Sequence, residues 1–191
     1  LRVALGAAYK DGFSLDNPAA KLDVLRRGAA DRVERRPFTL WELRKILQHA
    51  TGEWKGLLLF GLYTGQRLKD IARLTWQNID IEDEELRFVT AKTGRRMAIP
   101  LAAPLLSHLE AMSSSDDPAA PLFPNAHAIG IKEGSSDSRL SQQFHGILVA
   151  AGMATERSKA PTDKGRALRR AISEISFHSL RHTATSLMKN A

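Results

Sequence analysis

The chain has 191 residues, 43% of them apolar, and 28 lysines and arginines against 21 acidic residues give a net charge of +7. That length suits one solid domain plus a small appendage, the apolar share supports a real core, and the positive balance favours a polyanionic partner. Cysteine is absent, which excludes disulfides and thiolate metal sites. No apolar run reaches the ~20 residues of a membrane span, so a cytoplasmic protein without a membrane partner is expected. The opening Leu1-Arg2-Val3 carries neither an initiator methionine nor a signal-peptide layout; a piece of a longer protein is expected.

In chain order, residues 1–10 read as the tail of a helix, followed by a loop through Asn17-Pro18. The stretch Arg26 to Arg36 holds five arginines and ends at Pro37; it reads as a basic linker, either simply solvated or touching phosphates. Thr39 and Glu42 form a capping box, in which hydroxyl and carboxylate satisfy backbone N–H groups at a helix start. Leu40, Leu43 and Leu47 are expected to line one face of that helix. A second helix over 53–63 is apolar all round, which implies burial, and should end near Gly65. A further helix opens around Arg67, with Leu68, Ile71 and Leu74 inward.

At Asn78 the period changes. Residues 78–81, 86–90 and 96–101 carry β-formers or alternate, and polar turns at 82–84 and 92–94 separate them, which predicts a three-stranded meander. Helices resume over 103–112 and 141–151, where Phe144, Ile147, Leu148 and Ala151 share a face and Gly152 suits a C-cap. Segments 113–118, 126–138 and 158–165 read as loops. A last helix runs from about Ser179 to the end, with Leu180, Ala184, Leu187 and Met188 toward the core. The fold class is therefore α+β, mainly α-helical, with a small three-stranded antiparallel sheet.

The chemistry concentrates at two places. His178 lies three residues before Arg181, just ahead of the last helix, so both side chains can project toward N–H groups that favour an anion. A surface arginine and a core histidine would give the same pattern. The spacing of His178 and His182 allows a zinc pair, but Ser179 stands where a zinc motif has glutamate, and Arg181 repels a cation. Arg67 follows the break at Gly65 and can meet an oxyanion, pair with Asp70 one helical turn on, or do both. Lys92, at a hairpin tip, is by itself only an exposed lysine.

Three boxes taken together carry a resemblance. Tyr63-Thr64-Gly65-Gln66-Arg67 running to Leu74-Thr75-Trp76, Thr90-Ala91-Lys92-Thr93-Gly94 before Ile99-Pro100-Leu101, and Phe177-His178-Ser179-Leu180-Arg181-His182-Thr183-Ala184-Thr185 resemble, in order and separation, the boxes of tyrosine recombinases of the phage integrase family. The resemblance covers Pro37 to the end. It implies that residues 37–191 are a helical catalytic domain, and that 1–36 are the end of an N-terminal core-binding domain plus linker.

The resemblance also implies roles. Arg67 and Arg181 would clamp the non-bridging oxygens of the scissile phosphate, where guanidinium geometry suits better than ammonium. His178 would hydrogen-bond that phosphate and help accept the nucleophile's proton, and Lys92 would protonate the departing 5′-oxygen. A tyrosine attacks to form a 3′-phosphotyrosyl intermediate, with neither metal nor nucleotide cofactor. The partners implied are double-stranded DNA and other recombinase subunits, and the setting is the cytoplasmic nucleoid. Arg95 and Arg96 beside the hairpin, with Lys159, Lys164, Arg166, Arg169 and Arg170 before the last helix, are candidate phosphate contacts.

One departure matters. The family's nucleophile lies beyond the histidine–arginine box, with another His or Trp before it, whereas the only tyrosines here are Tyr9 and Tyr63. The chain is therefore expected to be a fragment of a strand-exchange enzyme, unable to cleave DNA and monomeric alone. The alternative is a catalytically silent DNA-binding module or integrase remnant. A metal-dependent nuclease built on Asp80, Glu82, Asp83, Glu84 and Glu85 is disfavoured, because these lie in a solvated turn.

Overall fold

The computed structural model describes residues 2–20, 35–112, 115–131, 136–156 and 174–190. By contacts the chain divides into two compact units, Leu1–Val33 and Glu34–Ala191. The first contains α1 (Arg2–Lys10), which ends where Gly12 turns with φ 78°. Tyr9 is exposed on this helix.

The second unit opens with the expected capping box. Thr39 receives the Glu42 N–H, Glu42 receives the Thr39 N–H, and α2 runs Leu40–His49. Its buried face is Leu43 and Ile46, with Leu47 partly covered, whereas Leu40, expected to face inward, is 64% exposed. Leu40 is the first residue of the helix, one turn ahead of the buried stripe, where nothing covers it. Glu42 also takes both terminal nitrogens of Arg36, at 2.9 and 2.7 Å, so the segment entering α2 is tied down.

The centre of the unit is α3 (Trp54–Thr64), whose Leu57, Leu58 and Phe60 are at most 1% exposed. Gly65, at φ 63°, ends it in the left-handed conformation that glycine adopts at least cost. The short α4 (Leu68–Ala72) follows and buries Ile71. A 3₁₀ turn over Trp76–Asn78 shortens the first strand to Ile79–Asp80 (β1), because Asn78 caps Thr75 rather than pairing. Strands β2 (Glu85–Val89) and β3 (Arg96–Pro100) complete an antiparallel sheet in the order β1-β2-β3. Leu86 pairs with Ile79 and Ile99 and is the sheet's anchor in the core. The mainly helical α+β class read from the sequence is the observed one.

After α5 (Ala103–Glu110) comes α6 (Pro124–Gly130), which occupies the first part of the loop expected over 126–138. Pro124 occupies its first turn, and the carboxylate of Glu53 receives the N–H groups of Asn125 (2.8 Å) and Ala126 (2.9 Å). The cap comes from another part of the chain. Helix α7 (Ser136–Ala150) likewise begins five residues earlier than expected, which buries Leu140.

Helix α8 (Phe177–Asn190) packs along α3. Phe177, Leu180, Thr183 and Ala184 are buried, but Leu187 is 46% exposed rather than in the core. Trp54, Phe144 and Phe177 form a mutual aromatic cluster that joins α3, α7 and α8. Among the described residues no helix is long and apolar enough to cross a membrane.

Candidate active site

The turn Thr64-Gly65-Gln66 is knit by its own side chains, with the Gln66 N–H on Thr64 Oγ1 (3.3 Å) and Gln66 Nε2 on the Thr64 carbonyl (3.1 Å). It delivers Arg67 in an extended conformation as the residue capping α4. The guanidinium is 38% exposed, and its Nη1 stands 3.8 Å from Asp70 Oδ2. The pairing with Asp70 is therefore present, and the side chain stays partly exposed beside it.

Asp70 does more than face Arg67. It is 4% exposed, and its Oδ1 accepts the Ala91 N–H at 2.9 Å. Ala91 opens the turn between β2 and β3, so the hairpin tip is fastened to α4, and Lys92 is the next residue along. The turn is closed by the Thr90 and Thr93 hydroxyls, 2.7 Å apart, and by the Arg95 N–H on Thr90 Oγ1. Lys92, Arg95 and Arg96 are all exposed on this hairpin. Asp70 Oδ2 makes no hydrogen bond; what it has is the charge of Arg67. The sequence reading saw Asp70 only as a partner for Arg67, because a contact spanning 21 residues leaves no local signal.

His178 is the second residue of α8, inside the helix rather than just before it. The Ser179 hydroxyl receives the Ser176 N–H and so stabilises that earlier start. The His178 ring meets His182 edge to face, with centroids 5.1 Å apart. Its titration lies below the ordinary histidine range, through burial first and then through the charges of His182, Arg35, Arg181 and Arg67. Of these, Arg35 and Arg67 come from distant stretches and line one cleft with His178, while Arg181 is one turn along the same helix. Arg181 stands against the Gly65 turn: a methyl added at Gly65 would lie 3.8 Å from Arg181 Cγ.

A cleft of ≈ 280 Å³ opens here, with Arg35, Arg67, Lys69 and His178 on its polar side and Leu140 and Phe177 beneath. Lys69 is an addition to the residues the sequence singled out. Lys159, Lys164 and Arg166, with Arg169 and Arg170, lie outside the described residues. The acidic turn is spoken for: Arg87 binds Asp80 (2.8 Å), Asp83 (2.6 Å) and Glu85 (2.9 Å). Among the described residues no group of three or more His, Asp or Glu could hold a metal.

A mainly helical unit with a small three-stranded antiparallel sheet has the architecture of an integrase catalytic domain. The model of the phage integrase family matches residues 36–191, and the chain belongs to that family. It is 38% identical over 89 residues to Prophage integrase IntE of Escherichia coli (strain K12), covering 45% of this chain and 22% of that protein. Among solved structures, a lambda integrase dimer bound to a COC′ core site matches with a TM-score of 0.64 and 21% identity, over 98% of this chain and 49% of that one. XerA recombinase matches with a TM-score of 0.53 and 14% identity, over 98% and 61%. The chain thus spans about a fifth of the curated integrase and half to three-fifths of the solved relatives.

Proposed function

We propose that the chain is the greater part of the catalytic domain of a tyrosine-type site-specific DNA recombinase, preceded over residues 1–36 by the end of a core-binding domain and its linker. The observation that supports this reading is that Arg67 and His178 line one cleft, with Arg181 one helical turn after His178 and against the Gly65 turn, beside a hairpin that Asp70 fastens in place with Lys92 at its tip. Lambda integrase, which shares the fold, is known as a dimer on a core site and as a tetramer on a Holliday junction. Duplex DNA and further recombinase subunits are the partners proposed by that likeness.

In this mechanism a tyrosine oxygen attacks the scissile phosphorus, a P–O bond to the tyrosine forms, and the bond to the 5′-oxygen breaks. Negative charge grows on the non-bridging oxygens as this happens. Arg67 and Arg181 bind those oxygens in a partly desolvated cleft, where fixed donors stabilise the transition state without reorganising. Neutral His178, held so by its surroundings, is able to take the attacking hydroxyl's proton, and Lys92 gives one to the leaving 5′-oxygen. Reversal on a different 5′-hydroxyl rejoins the strand, the phosphotyrosyl bond conserving the energy of the broken ester.

Neither Tyr9 nor Tyr63 follows the histidine–arginine box, so this reading needs a tyrosine from outside these 191 residues. Tyr63 lies half-buried in α3. The test is a duplex nicked close to the cleavage site, so that the cleaved end diffuses away and the covalent protein–DNA adduct accumulates. Protein extended along its own reading frame should give the adduct, and Arg181→Ala should nearly abolish it. The 191-residue chain should bind the duplex without forming any. An adduct that survives Arg181→Ala would refute the role given to that residue.

A further inference from the structure

We propose that Arg35 is a third arginine of the phosphate cleft, gripping the DNA backbone beside the phosphate held by Arg67 and His178. This rests on the phosphate reading of the cleft and adds a residue to it. In the sequence Arg35 and Arg36 look like equivalent members of a basic run. The structure separates them.

Arg36 is consumed by structure. It binds Glu42 through both terminal nitrogens, its backbone N–H reaches the Glu174 carbonyl at 3.3 Å, and its Nε lies 3.7 Å from the Glu174 carboxylate. Two residues on, the Phe38 N–H donates to the buried Thr183 hydroxyl at 2.8 Å. The segment is thus pinned to α2, to the residue Glu174 and to α8, beginning at the residue directly after Arg35. Arg35 lines the cleft together with Arg67, Lys69 and His178. Among the described residues no hydrogen bond or ion pair of its guanidinium is found, and among the described residues lining the cleft there is no carboxylate.

A planar guanidinium lining a cleft beside another guanidinium and an imidazole offers several donors to one anion. An oxyanion that enters can take charge-assisted hydrogen bonds from it. The pinned backbone means that little chain entropy is lost when the contact forms. Arg35 differs in this from cations that merely track a duplex: it lines the same cleft as His178 and directly precedes an anchored residue.

The experiment uses the 191-residue chain and inorganic phosphate as the probe, with binding followed through the His178 imidazole resonances at constant pH and ionic strength. Arg35→Ala should weaken phosphate binding about five- to tenfold, the low end for a charge-assisted hydrogen bond at an accessible site. Arg44→Ala, which removes an equal charge from the exposed face of α2, should change it less than about twofold. Thermal melts of Arg35→Ala should superimpose on the parent; if they do not, Arg35→Gln keeps the stem and replaces it. With duplex DNA, the slope of log K against log salt should fall by about 0.9.

Equal effects of Arg35→Ala and Arg44→Ala, with Arg67→Ala still damaging, would overturn the proposal and leave the cleft reading standing. If phosphate produces no saturable shift, or Arg67→Ala leaves binding intact, the cleft reading itself fails.

Discussion

Asp70 is where the fold and the proposed chemistry meet, and two substitutions separate its tasks. Asp70→Ala removes the acceptor of the Ala91 N–H, leaving a partly buried donor unpaired at a cost of about 1–3 kcal/mol. It also removes the carboxylate 3.8 Å from Arg67. At an effective dielectric near 20 that attraction is about 4 kcal/mol before desolvation. Burying the carboxylate offsets most of it, and Arg67 is partly solvated, so the hairpin amide should dominate the stability change. At about 2–4 °C per kcal/mol for a chain of this size, the melting temperature should fall by at least about 2 °C. Asp70→Asn keeps an oxygen for Ala91 and loses only the charge, so its stability loss should be smaller. The decisive assay is amide exchange at Ala91: about 5- to 30-fold faster in Asp70→Ala for each 1–2 kcal/mol lost, and near parental in Asp70→Asn. DNA binding should survive both changes, since each removes negative charge beside Arg67, while adduct formation by the extended protein should fall in both. Unchanged Ala91 exchange in Asp70→Ala would refute the argument that Asp70 fastens the hairpin.

Glu42 titrates near 2, first because Arg36 hydrogen-bonds it, against the opposing effect of burial, and then because Thr39 does. Its folded value lies below its unfolded one, so its contribution is complete above about pH 4.5 and is lost as pH falls toward 2. Glu42→Gln should flatten the urea-stability curve across that window. His178 is likewise depressed, and a nearby anion favours its protonated form. DNA affinity should therefore rise as pH drops through its titration, and the rise should shrink in His178→Gln when both are measured at fixed salt. Gly61→Ala places a methyl 2.7 Å from Phe177 Cζ and 2.9 Å from Leu180 Cδ1. A loss of about 1–3 kcal/mol in chemical denaturation is expected, together with weaker phosphate binding, because the helix that must move carries His178 and Arg181.

Elements whose signals lie within a few residues were readable from the sequence. The Thr39–Glu42 box, the Gly65 stop and the turn at Lys92-Thr93-Gly94 each declare themselves locally, and each stands where expected. Elements completed from far away were not readable. Helix α6 lacks a cap of its own and takes one from Glu53, 72 residues before Asn125. The expectation that Leu40 and Leu187 were core residues applied helical periodicity past the ends of the covering surface. The site shows the same division. Arg67, Lys92, His178 and Arg181 sit in recognisable local boxes, but that Asp70 holds Ala91, or that Arg35 and Arg36 part company, depends on contacts that only the folded chain makes.

Two glycines one helical turn apart show how closely the site is tied to the core. Gly65 has a positive φ and open surroundings: an added methyl would meet Ala184 Cβ at 3.7 Å and Arg181 Cγ at 3.8 Å, ordinary contacts. Its requirement is conformational, so Gly65→Ala should cost about 1 kcal/mol of backbone strain and leave α8 in place. Gly61 has ordinary helical backbone but no room, since Phe177 and Leu180 fill the space where a side chain would begin. Its requirement is proximity. The first glycine turns the chain so that Arg67 leaves α3 toward the cleft; the second lets α8 lie close enough for His178 to line it. If the two substitutions cost the same and weaken phosphate binding alike, helix contact and turn geometry are not separable here. A larger loss of binding in Gly61→Ala at equal or smaller loss of stability would show that the distance between α3 and α8 sets the site.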